Sequence, residues 1–428
     1  MNAHIISIGD ELLIGDTVNT NASWMGQFLY DHFIRVSYVH TIPDDYKVIL
    51  KTLKFACNDA ELVLMTGGLG PTNDDITKKV VTDYFDASLV LHEPTLKHVK
   101  KLFRKYNITF SKSNYGQAEV PDNAKVLFNK AGTAPGLWFD TGHNLLAVLP
   151  GIPSEMKHLM KNKVMPKLLE REGAENIAIT KYIKTAGVGE STLSDLVLNG
   201  LEDHTPDGVK VASLPNNGGV TIRLSARGSD KKEAENRIDQ IESFISERAA
   251  AYIYATDRDT SLSKAVGEAL KNRELTIATA ESCTGGLVSG ALTDIPGSSA
   301  YTLGGIVAYD NSVKTGLLDV SSSDLEQYGA VSEPVALQMA AGAAQKFGAY
   351  FGVSTTGIAG PGGGSEEKPV GTIWMGFYGP DTHFAIKTVL SKNRQLNRER
   401  TVTIVLETVR RIIAGIEEMP YGLEKYQA

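Results

Sequence analysis

The stretch Leu275-Thr-Ile-Ala-Thr-Ala-Glu-Ser-Cys-Thr-Gly-Gly-Leu-Val-Ser-Gly-Ala-Leu292 sets the reading of the whole chain. Its apolar run Leu275–Ala280 has the length of a strand and passes through Glu281-Ser-Cys-Thr-Gly-Gly286 into a helical pattern over Leu287–Leu292. A strand that feeds a helix through a glycine turn is the unit of an α/β sheet. It also sets polar residues at the strand's C-terminal end, where open sheets bind ligands.

Working outward, the same texture opens the chain. His4–Ile8, Asn21–Asp31, Leu62–Met65 and Thr77–Phe85 alternate strand and helix patterns, and a strand at Leu145–Pro150 leads through Gly151-Ile-Pro-Ser-Glu155 into a helix ending near Glu170. Polar Glu170–Asn176, with a glycine breaker, marks a boundary near 170–178. From Ala178 to about Thr256 the pattern becomes a small α+β insert. Strands at Val209–Ser213 and Gly219–Ala226 flank the turn formers Leu214–Gly218, Ala234, Ile238, Ile241 and Ile245 form one helical face behind a Ser229-Asp230 cap, and Ala251–Tyr254 reads as a strand. The last part has helices at Ser261–Lys271, Glu333–Lys346 and Arg398–Ile416, with strands at Gly305–Tyr309, Tyr350–Thr355 and Gly371–Tyr378. The expected class is α/β, in three domains.

Composition narrows the function. The chain has 428 residues, 42% hydrophobic and 22% charged, which suits a folded multidomain protein and excludes disorder as the main state. A net charge of −7, with no long basic block, disfavours a protein that binds nucleic acid by bulk electrostatics. Two distant cysteines, Cys57 and Cys283, exclude a disulfide framework and a cysteine-based zinc site, and fit a reducing cytoplasm. No basic leader precedes the first apolar stretch and no run is long enough to span a membrane, so a soluble, unexported chain is expected.

Ser282 stands where the start of a helix favours negative charge, which suits an oxyanion; a plain helix cap is the alternative. Gly285 and Gly286 would let backbone approach a ligand. Beyond residue 256 the sole histidine is His383, in what reads as a hairpin tip, so a Ser-His-Asp triad or a Cys283–histidine dyad is poorly provided for. Lysine can replace histidine as base when its pKa is lowered, and Asp310-Asn-Ser-Val-Lys314 follows a strand end. A Ser282–Lys314 dyad is one reading and a solvated lysine the other. Thr355-Thr-Gly-Ile-Ala-Gly-Pro-Gly-Gly-Gly364 is either an anion-binding loop or a turn, and it lacks the lysine and spacing of a P-loop. Arg394 and Arg398, four apart with Lys392 and Arg400 nearby, make a phosphate clamp or a solvated basic face. In the first domain, Asp10-Glu11 and Thr66-Gly-Gly-Leu-Gly-Pro-Thr-Asn-Asp-Asp75 join N–H donors to carboxylates, the chemistry of phosphate plus a divalent metal. Capping by aspartate would not call for three glycines and a proline. Thr133-Ala-Pro-Gly136 and Pro150-Gly-Ile-Pro153 are turns placed to border the same cleft.

These motifs resemble, over essentially the whole chain, those of the CinA (competence/damage-inducible protein A) family. The carriers in the last domain are Ala280–Gly286, Pro296-Gly-Ser-Ser299, Gly329-Ala-Val-Ser-Glu-Pro334, Gly357-Ile-Ala-Gly-Pro361 and Lys368-Pro-Val-Gly-Thr372. In the first domain they are Gly9-Asp-Glu-Leu-Leu13, Asn19-Thr-Asn21, Thr66–Thr72 with Asp74-Asp75, Gly132–Gly136 and Pro150–Pro153. The resemblance implies a three-layer α/β/α molybdopterin-binding-like domain over 1–172. It also implies a K-homology-like α+β domain over 173–256 and an α/β/α amidohydrolase domain over 257–428. The implied reaction is hydrolysis of the carboxamide of nicotinamide mononucleotide to nicotinate mononucleotide and ammonia, with no cofactor.

By the same resemblance Ser282 is the nucleophile and Lys314 the base, while Tyr309 and Thr356 line the site. Glu281, Thr284, Gly285, Gly286, Gly357, Gly360, Arg394 and Arg398 hold substrate, the phosphate falling on Arg398. Backbone N–H groups near Gly285 and the Thr356 hydroxyl are placed to hold the oxyanion. The first domain is implied to be an ADP-ribose pyrophosphatase that binds nucleotide through Asn19, Asn21, Gly67, Gly68, Gly70, Thr72, Gly132, Thr133 and Pro150. Its divalent metal, magnesium or cobalt, would sit on Asp10, Glu11, Asp74 and Asp75. A homodimer is implied; nucleic acid is not, because the middle domain lacks a basic Gly-x-x-Gly loop. The alternative is a pterin- or nucleotide-binding regulator, linked to competence or DNA repair, without turnover. One local departure is Asp31-His-Phe-Ile-Arg35, where relatives end the first helix with glycine.

Overall fold

The computed structural model of the protein describes residues 1–70, 76–172, 177–216, 218–228 and 230–426. Two compact units form, one of residues 1–179 with 227–234 and the other of 180–226 with 235–428. The insert and the last domain of the sequence reading thus share one unit for most of their length.

In the first unit the strands are β1 (Asn2–Ile8), β2 (Arg35–Ile42), β3 (Leu62–Thr66), β4 (Leu89–Leu91), β5 (Glu119–Pro121), β6 (Lys125–Leu127), β7 (Gly136–Asp140) and β8 (Leu145–Leu149). The sheet order is β2-β1-β3-β8-β7-β6, with β4 and β5 paired apart from it. Strands β2, β1, β3 and β8 are parallel, and β7 and β6 add antiparallel. Alternation along β1 builds the layers, since successive side chains leave opposite faces. Ile5 packs in one core with Met25 of the helix Thr20–Asp31 and Met156 of the helix Pro153–Leu159. Ile6 packs in the other with Leu53 of the helix Tyr46–Asp59 and Val80 of the helix Thr77–Tyr84. The first helix ends at His32, and the chain turns through Phe33 at φ 59. This left-handed conformation normally belongs to glycine, so the departure noted in the sequence puts a strained residue at the turn.

A second sheet has the order β10-β11-β9-β12, from β9 (Ile177–Thr185), β10 (Val209–Asn216), β11 (Gly219–Gly228) and β12 (Ile253–Ala255). Its hairpin is tighter than the turn formers suggest. Leu214, Pro215 and Asn216 continue the strand, Asn216 pairing with Gly219, and Pro215 is tolerated because β10 is an edge. The third sheet is ordered β14-β13-β15-β16-β17-β18, from β13 (Ile277–Glu281), β14 (Thr302–Val307), β15 (Phe351–Gly357), β16 (Thr372–Gly379), β17 (Thr382–Val389) and β18 (Lys425–Tyr426). Its three-layer form follows from β13, buried on both faces. Ile277 packs with Val266 and Val405 of the helices Leu262–Asn272 and Arg394–Ala414, whereas Ala278 and Ala280 pack with Met339 of the helix Glu333–Phe347.

Candidate active site

In the third sheet β13, β14 and β15 run parallel, so their C-terminal ends lie together. Ser282 follows β13 directly. Its N–H donates to the Thr355 carbonyl of β15 (2.8 Å), while the Ala308 N–H, just past β14, donates to the Glu281 carbonyl (2.8 Å). The Ser282 turn is therefore seated between the neighbouring strand ends, and Ser282 itself is half-buried.

Glu281 builds the turn. Its buried carboxylate accepts from the N–H of Ser289 (2.7 Å), Gly286 (2.9 Å) and Val288 (3.0 Å), and from the hydroxyls of Thr284 (2.6 Å) and Ser289 (2.9 Å). A carboxylate at the start of the helix Leu287–Thr293 meets the positive end of its dipole as well as its free donors. The Gly286, Val288 and Ser289 N–H groups are thus spent on Glu281. The Gly285 N–H is also taken, by the Ser282 carbonyl (3.2 Å), and the Thr356 hydroxyl donates to the Ala330 carbonyl (2.6 Å). Gly285 and Gly286 sit at φ 61 and 95, so both glycines are required by the turn itself.

Lys314 lies on the helix Asn311–Leu318, capped by Asp310, and is 1% exposed. Its Nζ donates to the carbonyls of Ala308 (2.8 Å) and Tyr309 (3.2 Å). Burial holds it below the usual lysine value, against the opposing pull of Asp310, and it interacts electrostatically with Cys283. Burial likewise pushes the Cys283 thiol up to about 12, despite a hydrogen bond from Thr355, so the thiol stays protonated near neutrality. His383 pairs with Tyr378 beside the β16–β17 turn.

The two predicted arginines face the two glycine turns. Arg398 donates through Nη2 (2.7 Å) and Nε (3.3 Å) to the Thr284 carbonyl, and a Cβ on Gly285 would lie 3.4 Å from its Nη2. Arg394 donates to the Gly360 carbonyl (3.1 Å) and to the exposed Tyr309 hydroxyl (3.3 Å). Their helix starts four residues earlier than the periodicity suggests, because the Asn393 side chain caps it by accepting from the Leu396 N–H (3.1 Å). Sequence reasoning missed Asn397. Its buried amide ties Ala359 (3.0 Å) and Ser391 (2.6 Å) to this helix and so holds the glycine loop in place. Gly357 marks the end of β15, where a Cβ would collide with Ile373 and Thr372.

In the first unit a cavity of about 420 Å³ opens at the C-terminal ends of β1, β3 and β8. Gly67, Gly68, Gly70, Thr133 and Pro150 line it, together with Glu11. Gly67 and Gly68 have φ 107 and 63, and a Cβ on Gly67 would meet the Ile8 carbonyl at 2.2 Å. Asn19 and Asn21 border an adjoining cavity of about 120 Å³. The Asn19 amide is committed, capping the first helix at Ala22 (3.0 Å) and donating to Thr41 (3.2 Å), while Asn21 donates to the Gly151 carbonyl (2.7 Å). Asp10 is exposed beside the cavities. Thr72, Asp74 and Asp75 lie outside the described residues. Among the described residues no three carboxylate, imidazole or thiol groups converge as a metal centre.

The sequence did not single out Glu155, which lines the same cavity. It is buried, accepts from the Asn129 amide (2.6 Å), and packs so closely on Gly132 that no Cβ fits there. Burial raises its pKa above the usual carboxylate range, against the Asn129 hydrogen bond. Among the described residues no helix is long and apolar enough to cross a membrane.

Family models match three consecutive segments: a probable molybdopterin binding domain over 4–170, a damage-inducible protein CinA KH domain over 180–255 and a CinA C-terminal domain over 259–413. A CinA-like protein of Cytophaga hutchinsonii is 42% identical over 97% of this chain and its own full length. A "competence-damage inducible protein" of Clostridium botulinum is 42% identical over 96% of this chain and 99% of its own. The solved CinA structure from Thermoplasma acidophilum is 35% identical, covering 39% of this chain and 96% of that one, with a TM-score of 0.35. With relatives 42% identical over 96% or more of its length, the chain belongs to the CinA family.

Proposed function

We propose that the last domain hydrolyses the carboxamide of nicotinamide mononucleotide, with Ser282 as nucleophile and Lys314 as base. The observation that carries this reading is the buried Lys314, whose two carbonyl partners use two N–H bonds and leave the third position of a neutral amine as a lone pair. That amine takes the Ser282 proton as the hydroxyl oxygen attacks the amide carbon, and returns it to the departing ammonia. Water then releases nicotinate mononucleotide. Arg394 and Arg398 each keep N–H bonds beyond those already made, and so supply a charged anchor for the phosphate. The high thiol pKa supports Ser282 over Cys283.

A second reading is favoured by the glycine-lined cavity of the first unit. It would bind the diphosphate of ADP-ribose and cleave it with a divalent ion. Glu11 offers an oxygen donor, and magnesium commonly uses one or two carboxylates with substrate phosphates and water, so the donor set fits a shared ion.

Ammonia release from nicotinamide mononucleotide, with ADP-ribose turnover assayed in parallel on the full chain, tests both. Ammonia from the wild type, and none from Ser282→Ala or Lys314→Ala, is expected. A wild type silent on both substrates would leave the non-catalytic binding protein as the account.

A further inference from the structure

Arg400 stands in the sequence beside the two arginines of the candidate active site, but the fold turns it away from them. At about 100° per residue it lies roughly 200° around the helix from Arg398. It lines a separate cavity of about 310 Å³, whose walls come from the second sheet and the last domain, both in the same unit. Val188 and Pro215 supply apolar wall on one side, and Leu390, Ile404 and Leu423 on the other.

The cavity is built and held open. The Tyr421 hydroxyl donates to the Gly218 carbonyl (2.7 Å), the Tyr421 N–H to the Gly187 carbonyl (2.7 Å), and the Gly187 N–H to the Gly218 carbonyl (3.1 Å). Two exposed side chains of opposite charge stand at its rim, Glu190 from the second-sheet side and Arg400 from the helix. Among the described residues, no ion pair joins either side chain to the other or to a third group. A cavity of this size with apolar walls and a few convergent polar groups has the form of a small-molecule site.

We propose that this cavity binds a small zwitterion with an apolar ring or branched body, its carboxylate on Arg400 and its ammonium at Glu190. Both side chains are exposed at the rim, where water solvates a charge left over, so a ligand with both ends gains by meeting Arg400 and Glu190 together over an apolar wall, and an acid or an amine alone meets only one of them. Because the site is distinct from the Ser282 turn, it stands whether or not the amidase reading does.

The test is calorimetric titration of the full chain with L-phenylalanine, beside 3-phenylpropionate and phenethylamine, which each carry one end. Saturable binding of one phenylalanine per chain is expected, tighter than either single-ended probe. Arg400→Gln and Glu190→Gln should each weaken it roughly tenfold or more, the scale of a lost charge-assisted hydrogen bond. Leu390→Trp, which fills the cavity, should abolish it. Thermal melting checks that the variants fold. No saturable phenylalanine binding at millimolar concentration, equal affinity in Arg400→Gln, or equal affinity for 3-phenylpropionate would overturn the assignment.

Discussion

Glu281→Gln is the sharpest perturbation of the Ser282 turn. The native carboxylate accepts six hydrogen bonds, a long one from the Thr279 hydroxyl (3.5 Å) among them, and three come from backbone N–H groups of the following turn and helix. Glutamine does best with its oxygen in the place that faces Thr284, Gly286 and Val288. Its NH₂ group then confronts Ser289, where the hydroxyl can rotate to accept but the backbone N–H cannot. One charge-assisted bond is lost, a buried donor is left without an acceptor, and the remaining bonds lose the ionic contribution. Together these cost about 3 kcal/mol or more. A unit of this size should melt about 6–12 °C lower. Hydrogen exchange gives the local readout, with faster exchange at Gly286, Val288 and Ser289 while protection in the first unit is unchanged. Ammonia release should fall with it, since Ser282 adjoins the loosened turn. Unchanged exchange at those three amides, with a melting temperature within about a degree of wild type, would refute the role given to Glu281.

Lys314 sets a pH dependence: because burial lowers its folded pKa, amidase activity should rise with pH as the amine loses its proton below the usual 10.5. The linked stability has the same sign. It is complete above the unfolded value and lost as pH falls through the lowered folded value, so Lys314→Met should flatten a melting-temperature profile over that window and lower turnover by about 10²–10⁴-fold. Cys283→Ala should retain turnover within a few-fold and the native thiol should resist alkylation at neutral pH, whereas rapid alkylation with loss of activity would return Cys283 to contention. Glu407 is fully buried against Arg411 (2.8 Å) and Arg410 (2.7 Å), so Glu407→Gln should destabilise the second unit by about 3–5 kcal/mol, read by denaturant unfolding. Gly67→Ala should abolish ADP-ribose binding by calorimetry while sparing ammonia release, because its Cβ would press on the Ile8 carbonyl at the mouth of the first-unit cavity.

Much of this was legible in one dimension. Short apolar runs bounded by turn residues located β1, β3, β8, β13 and most of β15. β2 and β9 escaped notice because Arg35–Ile42 and Ile177–Thr185 mix polar and apolar residues, and their pairing partners are distant in sequence. The strand before Lys314 is Thr302–Val307, which leaves Tyr309 beyond its end and free to meet Arg394. The candidate site divides similarly. Ser282, Lys314 and the arginine pair were marked by residue type, turn chemistry and family resemblance, but nothing local indicated which donors would be free. Glu281 and Thr356 were read as facing substrate; the Glu281 oxygens accept within the turn, and the Thr356 hydroxyl donates its proton to the Ala330 carbonyl.

The sequence by itself determined the class of fold and the order of its elements, and it showed where glycine turns carry polar residues at strand ends, because these depend on short-range periodicity and backbone preference. Only the tertiary structure decided which carboxylate closes a helix and which faces a cavity, that Lys314 is buried, and that Arg398 meets the Thr284 carbonyl whereas Arg400 lines a separate cavity. Burial and hydrogen-bond satisfaction are set by neighbours far apart in the chain. Thr284 meets Arg398 across 114 positions, and no local pattern encodes that contact.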